Sequence, residues 1–327
     1  MAGTVIITGA NGSLAIPAVA YLLHHYPDTT LVLTVRNDAD SDPNTAKLRK
    51  TISQFPNSKT YIIPLDLSHL HSVHEFTQQA ASSITAGEYP PLSAIICNAY
   101  YWNLVGDVEL TDDGFEKTLQ VNHIAHVAII LNLVNNFGPA GGKIILFSSD
   151  AHYPGKNALE KYPPSLPDNL ELLAKPEKSA KTKEGLGFQR YANSKLAITS
   201  WCYALNRHLQ KSPDLKAITA IALNPGNLTD SRSLRTNTPK KLAVMQRFML
   251  QPLGPIFSLL MPMMRTSAKA AADVVDLAMS PKYAGEQGFF TLNKKDESSP
   301  ESRDEFKQEK LWGKSAEWAG IQADVLG

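Results

Sequence analysis

Tyr191 and Lys195 lie four positions apart in the run Tyr191-Ala192-Asn193-Ser194-Lys195, set among good helix formers. Ile198, Trp201, Cys202, Leu205 and Leu209 continue at helical spacing, which predicts an amphipathic helix. On such a helix the phenol and the ammonium share one face, a turn apart. An ammonium beside a phenol favours the phenolate and is expected to pull its pKa down from about 10 towards neutrality. A tyrosine so placed can give and take a proton. The pair alone means little, because tyrosine and lysine at this spacing also occur on plain surface helices. The elements around it have to decide.

Length and composition bound the answer. The 327 residues suit one large domain or two small ones, and a 43% hydrophobic content with 19% charged residues is that of an ordinary globular chain. Lys plus Arg at 32 against Asp plus Glu at 31 gives no reason to expect a nucleic-acid partner. Two cysteines, Cys97 and Cys202, support neither a disulfide framework nor a metal cluster. Met1-Ala2-Gly3-Thr4 runs into Val5 without a basic region or a long apolar stretch. No signal peptide is read there, so the cytoplasm is the expected compartment.

The amino-terminal half has the pattern of a nucleotide site. Thr4 to Thr8 reads as a buried strand and Ala15, Ala18, Val19, Leu22, Leu23 and Tyr26 as the helix after it. Between them lies Thr8-Gly9-Ala10-Asn11-Gly12-Ser13-Leu14-Ala15. A glycine turn opening a helix lets backbone N–H groups hold a phosphate, although two glycines also suit a simple tight turn. The second strand, Leu31 to Val35, ends at Arg36, with no acidic residue between Leu31 and Asn37. Arginine in this place accommodates a ribose 2′-phosphate, so the cofactor expected is NADP(H); a solvated surface arginine is the bland alternative. Strands Tyr61–Leu65 and Ser93–Cys97 end at Asp66-Leu67 and Asn98-Ala99. Strands alternating with helices predict an α/β fold: a Rossmann-type doubly wound parallel sheet of about seven strands, flanked by helices in three layers.

Asp112 to Phe137 is predicted as a helix whose apolar stripe contains Asn122. A buried amide needs hydrogen-bond partners, so Asn122 is either a satisfied core residue or a site residue. His123 and His126 beside it lack metal-ligand company and read as packing or surface residues. Lys143 to Phe147 is the fifth strand and ends in Ser148-Ser149-Asp150. Ser149, Asp150 and His152 are too close in sequence to form a hydrolase triad, and there is no G-x-S-x-G elbow.

With these parts in order, the chain resembles the short-chain dehydrogenase/reductase family, and within it the branch of retinol dehydrogenases, protochlorophyllide reductases and WW-domain oxidoreductases. The matching features are Arg36, Asp66-Leu67-Ser68, Val121-Asn122-His123, Ser148-Ser149-x-x-His152, Tyr191-x-x-x-Lys195, Asn224-Pro225-Gly226 and Lys310-Leu311-Trp312. The resemblance implies that Asn122, Ser149, Tyr191 and Lys195 form a catalytic tetrad. Ser149 would bind the substrate carbonyl and Tyr191 would protonate it. Lys195 would lower the tyrosine pKa, and Asn122 would position a water leading to Lys195. It also implies a cofactor site of Gly9, Asn11, Gly12, Ser13, Leu14, Arg36, Asp66, Leu67, Asn98, Ala99, Tyr191, Lys195, Pro225, Gly226 and Thr229, without a metal. A homodimer through the Asn122 and Tyr191 helices is implied as well.

The sequence departs from the family pattern at three places. Ser13 and Ala15 stand where the usual turn has glycines, although Gly9, Gly12 and Ala15 fit the spacing of extended members. Tyr100 replaces the glycine of the N-N-A-G tetrapeptide. Finally, 41 residues separate Ser149 from Tyr191, an insert spanning His152 to Gln189 with Pro154, Pro163, Pro164, Pro167 and Pro176. It reads either as a lid or as a solvated loop. Further on, Ala217–Leu223 and Gly288–Leu292 are read as strands and Thr266–Met279 as a helix. Segment 230–264 is the expected substrate side. Its apolar part, Phe248 to Met264, is interrupted by Pro252, Pro255 and Pro262 and is no membrane span. It would cover a bulky apolar substrate, pack on a subunit, or touch a membrane surface.

Residues 1–327 are therefore expected to form a single domain, an NADPH-dependent reductase of a ketone or aldehyde on a bulky lipophilic molecule. Polyketide, terpenoid, steroid and retinoid types all fit the resemblance. A non-redox dehydratase or cyclase on the same scaffold, and a binding protein without turnover, are the rival readings.

Overall fold

Val5 and Ile7 point to one face of the central sheet and Ile6 to the other, and all three are completely buried. Burial on both faces explains why the strands read as apolar runs rather than alternating ones. The computed structural model describes residues 3–177, 182–252, 254 and 261–322. Its strands are β1 (Thr4–Ile7), β2 (Thr30–Val35), β3 (Thr60–Pro64), β4 (Leu92–Cys97), β5 (Gly142–Phe147), β6 (Ile218–Asn224), β7 (Asn227–Leu228), β8 (Met264–Arg265), β9 (Gly288–Thr291) and β10 (Lys294–Lys295). Eight of them form one sheet in the order β10-β9-β6-β5-β4-β1-β2-β3, and β7 and β8 form a separate ribbon. All pairs in the large sheet are parallel except β9–β10. The doubly wound class is as expected, with one strand more. That strand was hidden by its turn: Leu292, at φ 59, takes a backbone conformation usually signalled by Gly or Asn.

The helices are α1 (Ala15–His25), α2 (Pro43–Ile52), α3 (Leu70–Thr85), α4 (Lys117–Leu119), α5 (Ala125–Leu133), α6 (Glu171–Ala174), α7 (Lys183–Lys211), α8 (Lys240–Met245), α9 (Ser267–Met279) and α10 (Glu305–Trp318). α1, α2 and α9 cover one face of the sheet, and α3, α5, α7 and α10 the other. The helix expected from Asp112 begins only at Lys117. Gly114 (φ 80) turns the chain, and the Glu116 carboxylate caps the new start by accepting from Leu119 N at 2.8 Å. A π-turn, Gln120–Ile124, joins α4 to α5 and carries Asn122.

The insert is no solvated loop. Leu166, Leu170, Leu173 and Ala174 are buried, and Glu116 N bonds Ala174 O at 2.6 Å. Residues from 183 onward already belong to α7. In residues 294–309 the charged side chains are exposed or half-buried, while Ser298, Ser299 and Ser302 between them are fully buried. α10 lies across α7, stacking Trp312 on Trp201 with ring centroids 5.3 Å apart. His123 Nε2 meets Ser315 Oγ at 2.7 Å. On α5 every described side chain except Asn132 is buried within this one chain. The surface expected to form a homodimer through these helices is thus covered by the chain's own α10. No helix among the described residues is long and apolar enough to cross a membrane. In the apolar segment Phe248–Met264, residues 253 and 255–260 lie outside the described residues.

Candidate active site

Ligands of a doubly wound sheet bind beyond the carboxyl ends of its strands, where the strand order reverses. Here that point lies between β1 and β4. Gly9 leaves β1 with φ 61, and a Cβ on it would lie 3.0 Å from Ala99 Cα. A Cβ on Gly12 would lie 3.0 Å from Gly9 O. Asn98 Nδ2 donates to Thr8 O and Gly9 O, both at 3.0 Å, and fastens the turn to β4. Ala99 N donates to Thr8 Oγ1 at 3.0 Å. Leu14, buried at the start of α1, brings no side-chain cap; Ile16 N donates to Gly12 O at 3.1 Å and Pro17 has no N–H, so Ala15 N is the donor left for a ligand. Asn11 Nδ2 bonds Thr45 Oγ1 at 3.0 Å.

Arg36 is exposed at the end of β2. It faces Asp66: burial works against the Asp66 carboxylate, but Ser68 hydrogen bonds, His69 and the Arg36 charge together hold its pKa below the usual value. Leu67 is buried beneath. No ion pair engages Arg36 among the described residues. A glycine turn that a Cβ would crowd, an uncapped helix start and a free arginine together fit a dinucleotide bearing a 2′-phosphate. Past β6, Gly226 (φ 81) donates to Asn224 Oδ1 at 3.1 Å and follows Pro225 into the ribbon. Thr229 is buried there, its backbone N donating to Arg265 O at 3.0 Å.

Tyr191, Lys195 and Ser149 come together. At the end of β5, Ser149 Oγ donates to Asp150 Oδ1 at 3.0 Å and accepts from Ala151 N at 3.2 Å, and its side chain lies beside the Tyr191 phenol. Lys195 Nζ lies 5.5 Å from the Tyr191 ring centroid and donates to Phe147 O at 2.7 Å. Asn122 is 2% exposed: Oδ1 accepts from Tyr101 N at 2.7 Å, while Nδ2 donates to Tyr101 O at 2.9 Å and Ser194 Oγ at 3.0 Å. Ser194 Oγ donates in turn to Tyr191 O at 2.7 Å. Asn122 therefore joins the loop after β4 to the helix bearing the tyrosine.

The expected lowering of the tyrosine pKa does not occur in this arrangement. Burial raises it, Tyr100 and Asp150 add to the rise, and the Ser149 hydroxyl opposes them. Lys195 is itself pushed down to about 7 by burial, so it supplies little positive charge to stabilise a phenolate. The phenol stays protonated, the state of a proton donor.

Three further features had little or no signal in the sequence. Trp102 stands edge-on to Tyr191 with centroids 5.3 Å apart, and Tyr100 at 6.5 Å, so the lost glycine has become an aromatic wall. Phe188 at 6.1 Å and Leu159 of the insert extend it. Behind the site, His126 Nε2 meets Thr8 Oγ1 at 3.0 Å and Nδ1 meets Asn122 O at 3.3 Å. Burial pushes His126 down to about 4, so it is a neutral link between the glycine turn and the π-turn. Arg232 Nη2 reaches Asn11 O at 2.7 Å. Among the described residues no group of side chains could hold a metal ion.

A parallel sheet with a glycine turn at its switch point and a serine–tyrosine–lysine cluster beyond its central strand defines a nucleotide-dependent oxidoreductase fold and site. The comparisons agree. A family described as short chain dehydrogenase matches residues 3–165, and one described as AcuH dehydrogenase domain matches residues 232–325. The chain is 27% identical to the short-chain dehydrogenase iccH of Talaromyces variabilis, over 98% of this chain and 96% of that one. It is 27% identical to human retinol dehydrogenase 13, over 98% of this chain and 85% of that one. The NADPH-bound carbonyl reductase from chicken fatty liver superposes with a TM-score of 0.59 at 17% identity, covering 91% of this chain and 99% of that one. The chain belongs to the short-chain dehydrogenase/reductase family.

Proposed function

We propose that this oxidoreductase uses NADP(H) to reduce a ketone or aldehyde on a bulky lipophilic molecule, or to oxidise the corresponding alcohol. The observation that carries the reading is the grouping of Ser149 and the Tyr191 phenol beyond β5, with Lys195 a helical turn from the tyrosine and Trp102 beside the ring. The carbonyl reductase and retinol dehydrogenase relatives support it. When bound, the cofactor supplies the hydride.

The protein's own groups do the rest. The glycine turn and the start of α1 hold the pyrophosphate, and Arg36 the 2′-phosphate. Ser149 Oγ hydrogen-bonds the substrate carbonyl oxygen, and the protonated Tyr191 hydroxyl donates to that oxygen as charge develops on it. Such a donor is worth about 10²–10⁴-fold. Lys195 Nζ, within reach of the site and near its own titration point, exchanges protons with the tyrosine after turnover. Asn122 is a positioning residue that fixes α7 through Ser194. Tyr100, Trp102, Phe188 and Leu159 surround the phenol with aromatic and aliphatic surface, which excludes water and favours lipophilic substrates.

NADPH oxidation followed at 340 nm against a panel of lipophilic carbonyls, for wild type beside Tyr191→Phe, tests the reading. The variant is expected to bind NADPH normally and lose at least ~10²-fold in turnover. Comparable activity in both proteins would show that Tyr191 is not the acid. Substrate consumption without any change at 340 nm would instead favour a non-redox reaction.

A further inference from the structure

We infer that Arg232 is a ligand of the cofactor pyrophosphate, carried to the glycine turn by a strap formed by residues 229–237; this rests on the NADP(H) reading above. The strap crosses the crevice between the ends of β1 and β4. At one end Arg232 N donates to Ser13 Oγ at 3.1 Å and Arg232 Nη2 to Asn11 O at 2.7 Å. In the middle Ser233 Oγ bonds Ser231 Oγ at 2.7 Å and lies beside the Tyr100 hydroxyl. At the other end Asn237 Nδ2 donates to Tyr101 OH at 3.2 Å and Trp102 O at 3.3 Å, while Leu104 N donates to Asn237 O at 2.8 Å.

Ser13 stands where the family turn has a glycine. Its hydroxyl is the acceptor that docks the strap, so the substitution has a structural use. A guanidinium carries five donors, and among the described residues this one hydrogen-bonds a single carbonyl. No ion pair engages it among the described residues. The nearby Asp42 carboxylate already caps α2 through Asn44 N at 3.0 Å and Thr45 N at 2.8 Å. Burial first and then Arg235 disfavour the Arg232 charge, while Asp42 and Tyr100 favour it. A half-buried arginine thus sits on the glycine turn with no anion in an ion pair with it among the described residues, Asp42 acting only from a distance. A phosphate passing over that turn would supply one. The guanidinium then exchanges a carbonyl partner for a charged one, and the strap closes on the bound nucleotide.

The test is fluorescence titration of wild type, Arg232→Ala, Arg232→Lys and Arg36→Ala with NADPH and with NADH, which share the pyrophosphate and differ in the 2′-phosphate. Charge-assisted hydrogen bonds of this kind are worth about 10- to 100-fold in affinity. Arg232→Ala is expected to weaken both nucleotides by that factor, Arg232→Lys by less, and Arg36→Ala to weaken NADPH alone. Inorganic pyrophosphate should raise the thermal midpoint of wild type and of Arg232→Lys more than that of Arg232→Ala. Affinities within two-fold of wild type for both nucleotides in Arg232→Ala overturn this inference alone. A loss confined to NADPH also overturns it, by moving the contact to the 2′-phosphate. Wild type that binds neither nucleotide overturns the functional reading as well.

Discussion

Replacing Lys195 by Met should change how stability depends on pH, and the structure fixes the sign. Lys195 is 3% exposed and its Nζ donates to Phe147 O at 2.7 Å, with no ion pair to a carboxylate among the described residues. Burial lowers its pKa from 10.5 to about 7, only partly offset by the Cys97 thiol. The unfolded chain therefore holds this proton up to about pH 10.5, whereas the folded one releases it near pH 7. Between those values the unfolded state binds more protons, so this group makes stability rise with pH. Each unit is worth about 1.4 kcal/mol, giving about 3 kcal/mol between pH 7 and pH 9 as an upper figure. Lys195→Met removes that slope. It also leaves Phe147 O without its donor, at a cost of about 1–3 kcal/mol that does not vary with pH. Urea denaturation of both proteins at pH 7, 8 and 9 measures the gap between them. Wild type should gain on the variant by about 2–3 kcal/mol across this range. A gap constant to within about 0.5 kcal/mol would show that Lys195 stays charged in the folded protein, and the account of a depressed lysine would fail.

Trp312→Ala should cost about 3–5 kcal/mol in urea denaturation, since the ring is 4% exposed and stacks on both Trp201 and His208. A loss under about 1 kcal/mol would mean that α10 contributes little to holding α7. Gly9→Ala should cost about 1–3 kcal/mol and weaken NADPH, because φ 61 is strained for alanine and the new Cβ would crowd Ala99. Unchanged stability and affinity would show that the turn relaxes without effect. Arg36→Asp should shift the preference from NADPH towards NADH in paired titrations, because the carboxylate repels a 2′-phosphate and can bind a free 2′-hydroxyl. An unaltered ratio would place the 2′-phosphate elsewhere.

The Ser149, Tyr191 and Lys195 cluster was legible because its information is local. Tyr191 and Lys195 announce themselves by helical spacing, and Gly9, Asn98 and Ser149 by the punctuation of strand ends. What escaped depends on residues far apart in the chain. Arg232 meets Asn11 across 221 positions, and nothing near Arg232 distinguishes it from a surface arginine. Tyr100 reads only as a missing glycine until folding turns it towards Tyr191. The lysine-to-tyrosine influence was misjudged for a physical reason. Spacing shows that two groups are close, but not that both lose their water, and burial outweighed proximity for each. The late charged stretch hid buried serines because composition averages over residues that one turn separates.

The covering of α7 by α10 has a consequence for how the molecule comes into being. Trp201 stacks on Trp312, so the helix bearing Tyr191 is completed by a segment far downstream in the chain. The strands β1 to β4 can pair early on the emerging chain, and the nucleotide half assembles from neighbours in sequence. Trp201 and the rest of the outer face of α7 stay uncovered until residues 305–318 have left the ribosome. Long-range closure of this kind slows folding and leaves apolar surface exposed meanwhile. Until then the helix that carries Tyr191 presents Trp201 without its stacking partner.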